Sequence, residues 1–281
     1  MYLRVKKDSV TSILLFIFNV FLVERGIYSV PLKKIFILLE PFHKSETSIR
    51  MGLSRGVQNG LFVNEREGPE VYYRLTDDAG QSFDYWHKTL ARFQNRIKLQ
   101  FADWDQAWNI IWLNLSPLNK SDGNIEKFME SLEQLGYGSL TKEQWISPYD
   151  LSGEVIELAE KLDLKKGLFI FHGELKNKKP AAIVSEVWPV RELAKRYSKY
   201  ADQMQEAVGQ LNAESNFFGQ ALTFLYLYGS GIFEIIQDDP QLPLELLPAD
   251  WQGPKVTRSF WEIREKVLPE VNSYIDEILK S

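Results

Sequence analysis

Gly52 and Gly56 stand four residues apart in Ser45–Gln58, a segment that otherwise has the pattern of an amphipathic helix, and no other feature constrains the fold as much. Ser45 is a good N-cap, and Glu46 suits the positive end of the helix dipole. Ile49, Leu53 and Val57 mark an inward stripe, and both glycines fall on it. An interior glycine costs a helix about 0.8–1 kcal/mol relative to alanine. Two of them on the packed side therefore predict a close approach, here expected against the preceding helix. The opposite side carries Thr47, Ser48, Arg50, Met51, Ser54, Arg55 and Gln58. Arginine and glutamine pair with guanine and adenine edges through two hydrogen bonds, and the hydroxyls suit phosphates.

Asn59-Gly60 ends this helix with a residue able to take positive φ. Leu61–Val63 and Val71–Leu75 read as two strands, with Asn64–Glu70 as the turn between them around Gly68-Pro69. Arg66 and Arg74 are the expected phosphate contacts of this hairpin, with Tyr72 beside them. Glu65, Glu67 and Glu70 add negative charge to the same hairpin. Helices, a polar-faced helix, a glycine and a hairpin in this order make a winged helix-turn-helix that reads DNA. The DNA-facing set is then Ser45, Thr47, Ser48, Arg50, Met51, Ser54, Arg55, Gln58, Arg66, Tyr72 and Arg74.

A net charge of −5 argues at first against a nucleic-acid partner. The sign differs along the chain, however. Residues 1–100 hold 15 Lys and Arg against 10 Asp and Glu, and residues 101–281 hold 18 against 28. A basic binding module joined to an acidic body fits that asymmetry. With no cysteine, thiolate catalysis and Cys-based metal sites are excluded. His43, His87 and His172 are far apart in sequence and lack metal-ligand spacing, so no metal is expected.

Val10–Val23, preceded by Lys6 and Lys7, imitates a signal-peptide core. It lacks a small-residue cleavage site and is short for a membrane span, which favours a buried helix in a cytoplasmic protein. That helix is apolar nearly all round and needs cover on two sides, from its own domain and from a neighbour or a dimer partner. Gly26 ends it, and Pro31 opens a second helix over Leu32–Leu39.

From Asp77 to about Asn95 the pattern is helical, with Phe83, Trp86, Leu90 and Phe93 on one side. A strand over Asn109–Leu115, a helix over Asn124–Leu135, a strand over Gln144–Ser147, a helix over Leu151–Leu162 and a strand over Leu168–His172 follow. That is the order of a ferredoxin-like domain, so the fold class is α+β. Ala181–Glu186 reads as strand or connector, and Trp188–Leu211 as a long helix. Ser215–Ile235 is a helix interrupted at Gly229-Ser230-Gly231, which reads as a hinge. Arg258–Ile278 is the closing helix. The domains divide as 1–95 winged helix, 96–180 ferredoxin-like and 181–281 mainly helical. No phosphate-binding loop or nucleophile elbow is present. Asp77/Asp78, Asp103/Asp105 and Asp238/Asp239 read as turn or cap residues. The tryptophans read as core, with Trp145, Trp188 and Trp251 as candidates to wall an apolar ligand pocket.

Four stretches together, SIRMGLSRGVQNGLF…YYRLT, LEQLGYGSLTKEQWISPYDL, VWPVRELAKRY and DPQLPLELLPADWQGPKV, resemble the PaaX family of bacterial transcriptional repressors. The resemblance implies a winged helix, a central domain similar to a small CRISPR-associated nuclease, and a helical C-terminal domain. It further implies a homodimer on double-stranded operator DNA that controls phenylacetate catabolism. Phenylacetyl-coenzyme A, or a related aryl-acyl-CoA, would release it from DNA. Carried over by position, the DNA role falls on Arg50, Ser54, Arg55, Gln58 and Arg74. The acidic residue of the nuclease's first strand has no counterpart in Asn109–Leu115, and the resemblance assigns no effector-binding residues. The competing reading is an enzyme acting on nucleic acid or on acyl-CoA esters.

Overall fold

The computed structural model describes residues 9–118, 123–211 and 217–280. The expectations for Lys6, Lys7, Ser215, and the side chains of Phe83 and Trp86 lie outside the described residues.

The N-terminal apolar run starts as α1 (Val10–Ile17), capped by the Ser9 side chain. It does not continue as one α-helix. Phe18–Leu22 is a π turn and Val23–Arg25 a 3-10 turn, ended by Gly26 at φ +69. The wider i→i+5 repeat lets Phe18, Phe21 and Leu22 all stay inward. Asn19 is buried with them and donates from Nδ2 to the Leu15 carbonyl at 2.7 Å. Each fully buried side chain of this kind contributes about 1.5–3 kcal/mol, far more than a local change of helix repeat costs.

Next come β1 (Ser29–Pro31), α2 (Leu32–Leu39), α3 (Glu46–Gln58), β2 (Phe62–Glu67), β3 (Glu70–Leu75) and α4 (Asp77–Gln100). The three strands form an antiparallel sheet in the order β1-β3-β2. β1 was not anticipated, because a three-residue strand carries no periodicity of its own. The hairpin strands are longer than expected, pairing out to Glu67 opposite Glu70 around Gly68-Pro69. The broad turn over Asn64–Glu70 is thereby corrected.

The middle of the chain forms β4 (Trp108–Leu113), α5 (Asn124–Gln134), β5 (Gly138–Thr141), β6 (Gln144–Ser147), α6 (Ser152–Lys161) and β7 (Leu168–Gly173). β5 completes a β-α-β-β-α-β unit whose antiparallel sheet has the order β5-β6-β4-β7. Alternation divides its residues between two cores. Ile111 and Trp145 pack with Phe128, Leu132 and Val155 of α5 and α6. Trp108 and Ile146 face the other way, onto Ile183, Trp188, Leu242 and Leu246. Trp145 therefore lies in a different core from Trp188 and Trp251, and the three do not wall one pocket.

The rest is helical: α7 (Pro180–Val187), α8 (Val190–Leu211), α9 (Phe217–Asp238) and α10 (Gly253–Lys280). The ambiguity over Ala181–Glu186 resolves to helix. α9 runs unbroken through Gly229-Ser230-Gly231, which corrects the expected hinge. A Cβ on Gly231 would lie 3.2 Å from the Tyr200 ring, so this glycine admits α8, whereas one on Gly229 would make an ordinary 3.8 Å contact with Phe260.

Two compact units result. Unit 1 gathers Met1–Ala91, Lys199–Glu234 and Pro254–Ser281, and unit 2 gathers Arg92–Ser198 and Ile235–Gly253. In unit 1 the apolar N-terminal run finds its second cover within the same chain. Tyr226 of α9 lies 2.6 Å from the Ser12 hydroxyl and packs edge-on to Phe16. From α10, Asp276 and Asn272 accept hydrogen bonds from Arg25 at 2.9 and 2.7 Å. No helix among the described residues is long and apolar enough to cross a membrane.

Candidate nucleic-acid interface

The Ser45 hydroxyl caps α3 by accepting from the Ser48 N–H at 3.2 Å, and the helix ends at Asn59 before Gly60 at φ +70. Ile49, Gly52, Leu53 and Gly56 are buried, whereas Thr47, Arg50, Met51, Ser54, Arg55 and Gln58 are exposed on the other side. Ser45 is exposed and Ser48 half-buried at the same end. The glycines do not face the preceding helix as expected. A Cβ on Gly52 would come 2.6 Å from Val10 of α1, and one on Gly56 would come 2.6 Å from the Phe62 ring of β2. They clamp the polar-faced helix between the first helix and the hairpin, with α2 flanking it.

Two side chains of α3 differ in how they are held. Arg50 lies 4.0 Å from Glu46 and 5.0 Å above the centre of the Phe36 ring of α2, a stacking that orients the guanidinium. Arg55 has no ion-pair partner among the described residues and is exposed. Nothing in the sequence singles out Phe36 as a platform for that guanidinium.

The hairpin residues separate by face. Phe62 and Leu75 are buried, and Arg66 shares their side through the β2–β3 register, beyond Asn64 and Tyr73. Arg66 projects from the exposed end, with Nε donating to the Gly68 carbonyl at 3.3 Å. Tyr72 and Arg74 alternate onto the opposite side, both half-buried in the central strand. Arg74 donates to the Leu75 carbonyl at 3.5 Å. The set expected as one wing surface thus occupies two. Lys33 of α2, which the sequence did not single out, lies 2.5 Å from Glu70 and holds that carboxyl below its ordinary range. Glu70 also accepts from the Tyr72 hydroxyl at 3.2 Å, which pushes the phenol up. Part of the acidity expected to burden the wing is therefore offset locally.

Asp105 and the Asp238/Asp239 pair serve structural roles. Asp105 accepts from the Ala107 N–H at 2.9 Å and lies 3.5 Å from His172 Nε2. Asp238 pairs with Arg196 at 2.6 Å, and Asp239 accepts from the Tyr197 hydroxyl and the Gln241 N–H, both at 2.7 Å. Among the described residues no group of three His, Asp or Glu is placed to hold a metal ion.

Comparison with known proteins bears on the whole chain. The family model for PaaX-like protein matches residues 10–79, that for the PaaX protein central Cas2-like domain matches 102–184, and that for the PaaX-like protein C-terminal domain matches 188–277. The chain is 24% identical over 252 residues to the transcriptional repressor PaaX of Escherichia coli, covering 85% of this chain and 75% of that one. Among solved structures it is similar to the uncharacterised protein Rv0674 from Mycobacterium tuberculosis. That likeness has a TM-score of 0.52 at 17% identity over 95% of this chain and 99% of that one, and it shows the fold.

Proposed function

The chain belongs to the PaaX family, and we propose on that premise that it is a transcriptional repressor rather than an enzyme. It binds operator DNA as a homodimer through α3, with the hairpin against the phosphate backbone. An aryl-acyl-CoA such as phenylacetyl-CoA, in a phenylacetate catabolic setting, releases it. The observation that carries this reading is α3: its apolar side and glycines are locked inward while Thr47, Arg50, Ser54, Arg55 and Gln58 are left facing solvent. Arg50 and Arg55 are the base- or phosphate-reading pair. Arg66 at the hairpin's end is a backbone contact, and the repressor of Escherichia coli supports the regulatory role by likeness.

Two such helices related by a dyad read half-sites about one helical turn, or a multiple of it, apart. The effector acts by binding the DNA-incompetent arrangement more tightly than the competent one. The test is footprinting and gel-shift titration on the protein's own promoter at several salt concentrations. Arg50→Ala with Arg55→Ala should weaken binding about 100-fold. Each lost phosphate contact should also flatten the slope of log K against log salt by about 0.9. Unchanged footprints would overturn the assignment of α3.

A further inference from the structure

Arg50 and Arg55 share one helix but not one flank of it. Five positions apart in sequence, they stand roughly 140° apart around the axis of α3. Ile49, Gly52, Leu53 and Gly56 define the buried side, so the two arginines border the exposed side from opposite edges. Thr47, Ser54 and Gln58 fill the middle. Arg50 lies on the edge next to α2, where the Phe36 ring is. The two also differ along the axis, Arg50 belonging to the first half of the helix and Arg55 to its last turn. A recognition helix in the major groove meets base edges chiefly with its N-terminal residues.

What holds each guanidinium differs as well. Arg50 Cζ lies 5.0 Å from the centre of the Phe36 ring, a half-buried side chain of α2. A guanidinium over a ring keeps its N–H groups, which point outward in its own plane, for other acceptors. Glu46 takes little of that capacity. Its contact with Arg50 is 4.0 Å long and the two side chains are 72% and 58% exposed, a setting in which an ion pair contributes little. The ring, and not the carboxylate, therefore fixes the guanidinium. Guanine O6 and N7 accept two hydrogen bonds in the plane of the base, so the donor fork that reads them has to be held in that plane. A phosphate attracts a cation from many directions and needs no such holding. Arg55, exposed and without an ion-pair partner among the described residues, suits the second task.

We propose that Phe36 is a positioning residue for sequence recognition: its ring holds the Arg50 guanidinium for a two-bond contact to one guanine of the operator, while Arg55 binds a phosphate and adds affinity without discrimination. The inference rests on the repressor reading above and divides that reading's two arginines by role. It places part of the specificity of α3 in α2, through a side chain that need not touch a base.

Gel-shift titration of the full chain on its own promoter and on unrelated duplex DNA of equal length, each at several salt concentrations, tests this. The ratio of the two affinities measures discrimination, and the slope of log K against log salt follows the phosphate contacts. Phe36→Leu, which keeps an apolar side chain and every charge, should lower the ratio about 10-fold and leave the slope unchanged. Phe36→Tyr, which keeps the ring, should retain the parent's ratio. Arg50→Lys, which keeps the charge and loses the fork, should lower the ratio as Phe36→Leu does, and carries the test if Phe36→Leu does not fold. Arg55→Ala should weaken binding to both duplexes alike, flatten the slope by about 0.9 and keep the ratio. Replacing each guanine of the footprint in turn by 7-deazaguanine removes one acceptor, and a position that weakens the parent should no longer weaken Arg50→Lys. A ratio kept in both Phe36→Leu and Arg50→Lys, a loss in Phe36→Tyr equal to that in Phe36→Leu, or a ratio that falls as far in Arg55→Ala would overturn the division of roles. A parent that discriminates while every variant keeps its ratio removes this inference alone, whereas a parent that binds both duplexes equally removes the repressor reading and this inference with it.

Discussion

Gly52 and Gly56 in unit 1 and Gly136 and Gly138 in unit 2 all bring another residue's atoms against the backbone, with opposite electrostatic results. In unit 1 the intruders are apolar, Val10 and Phe62. Locking them in turns the cationic side of α3 outward, and a surface for a polyanion results. In unit 2 the intruders are the guanidinium of Arg96 at Gly136 and, at Gly138, Val187 together with the indole of Trp188, so two donors are brought inward and left unpaired. Close approach thus serves either to expose charge or to enclose it, according to what fills the missing Cβ.

The sharpest way to break this comparison is to restore the Cβ. Gly138→Ala places a methyl group into Val187 and Trp188 in a strand that cannot shift without its neighbours. It should cost about 3 kcal/mol, the upper end of overpacking, read as a lower urea midpoint at constant m-value. Gly52→Ala gains about 1 kcal/mol of helix propensity and loses more to contact with Val10. A net loss of about 1–2 kcal/mol is expected, with weaker operator binding as α3 is pushed out. A variant as stable as the parent would mean that Val10 moves aside and that Gly52 does not set the position of α3.

A subtler test uses pH. Burial pushes the Asp239 carboxyl above its ordinary value of 3.8. A raised pKa means that the stabilising proton is fully in place below the unfolded value and is lost as pH rises through the folded one. The parent should therefore lose stability relative to Asp239→Asn as pH rises above 3.8, until the folded carboxyl ionises, and the two should run parallel beyond. Parallel urea midpoints over the whole range would contradict a buried, protonatable Asp239.

The smallest effect is expected at the exposed Lys33–Glu70 pair. Lys33 holds the Glu70 carboxyl below its ordinary range, so what the pair contributes is present above the unfolded pKa and lost as pH falls through the folded one. Glu70→Gln should leave the unfolding midpoint at neutral pH almost unchanged. It should tighten operator binding slightly and steepen its salt dependence, because Lys33 becomes free for phosphate. No change in the salt slope would place Lys33 outside the DNA footprint.

Much of unit 1 was legible because its information is local. The Ser45 cap, the polar and apolar sides of α3, the Asn59-Gly60 stop and the two hairpin strands all follow from residues within one or two turns of each other. So does the strand and helix order of the middle domain. β1 and β5 were missed because three or four residues gain strand character through pairing with a partner distant in sequence. Arg66 and Arg74 were grouped by type and nearness, and the β2–β3 register sent them to opposite sides.

What the sequence determined alone is the chemistry of each local face: which side of α3 is polar, which glycines lie inward, and where the helix stops. Tertiary structure decided what those faces meet. The run from Val10 to Leu22 shows apolarity on every side but not that α9 returns to cover it. Arg96 reads as one more helical arginine until Gly136, from a separate stretch of the chain, closes on it. The physical reason is common to both cases. A side chain's hydration and unpaired hydrogen bonds depend on neighbours brought from far along the chain, and no periodicity within a helix encodes them.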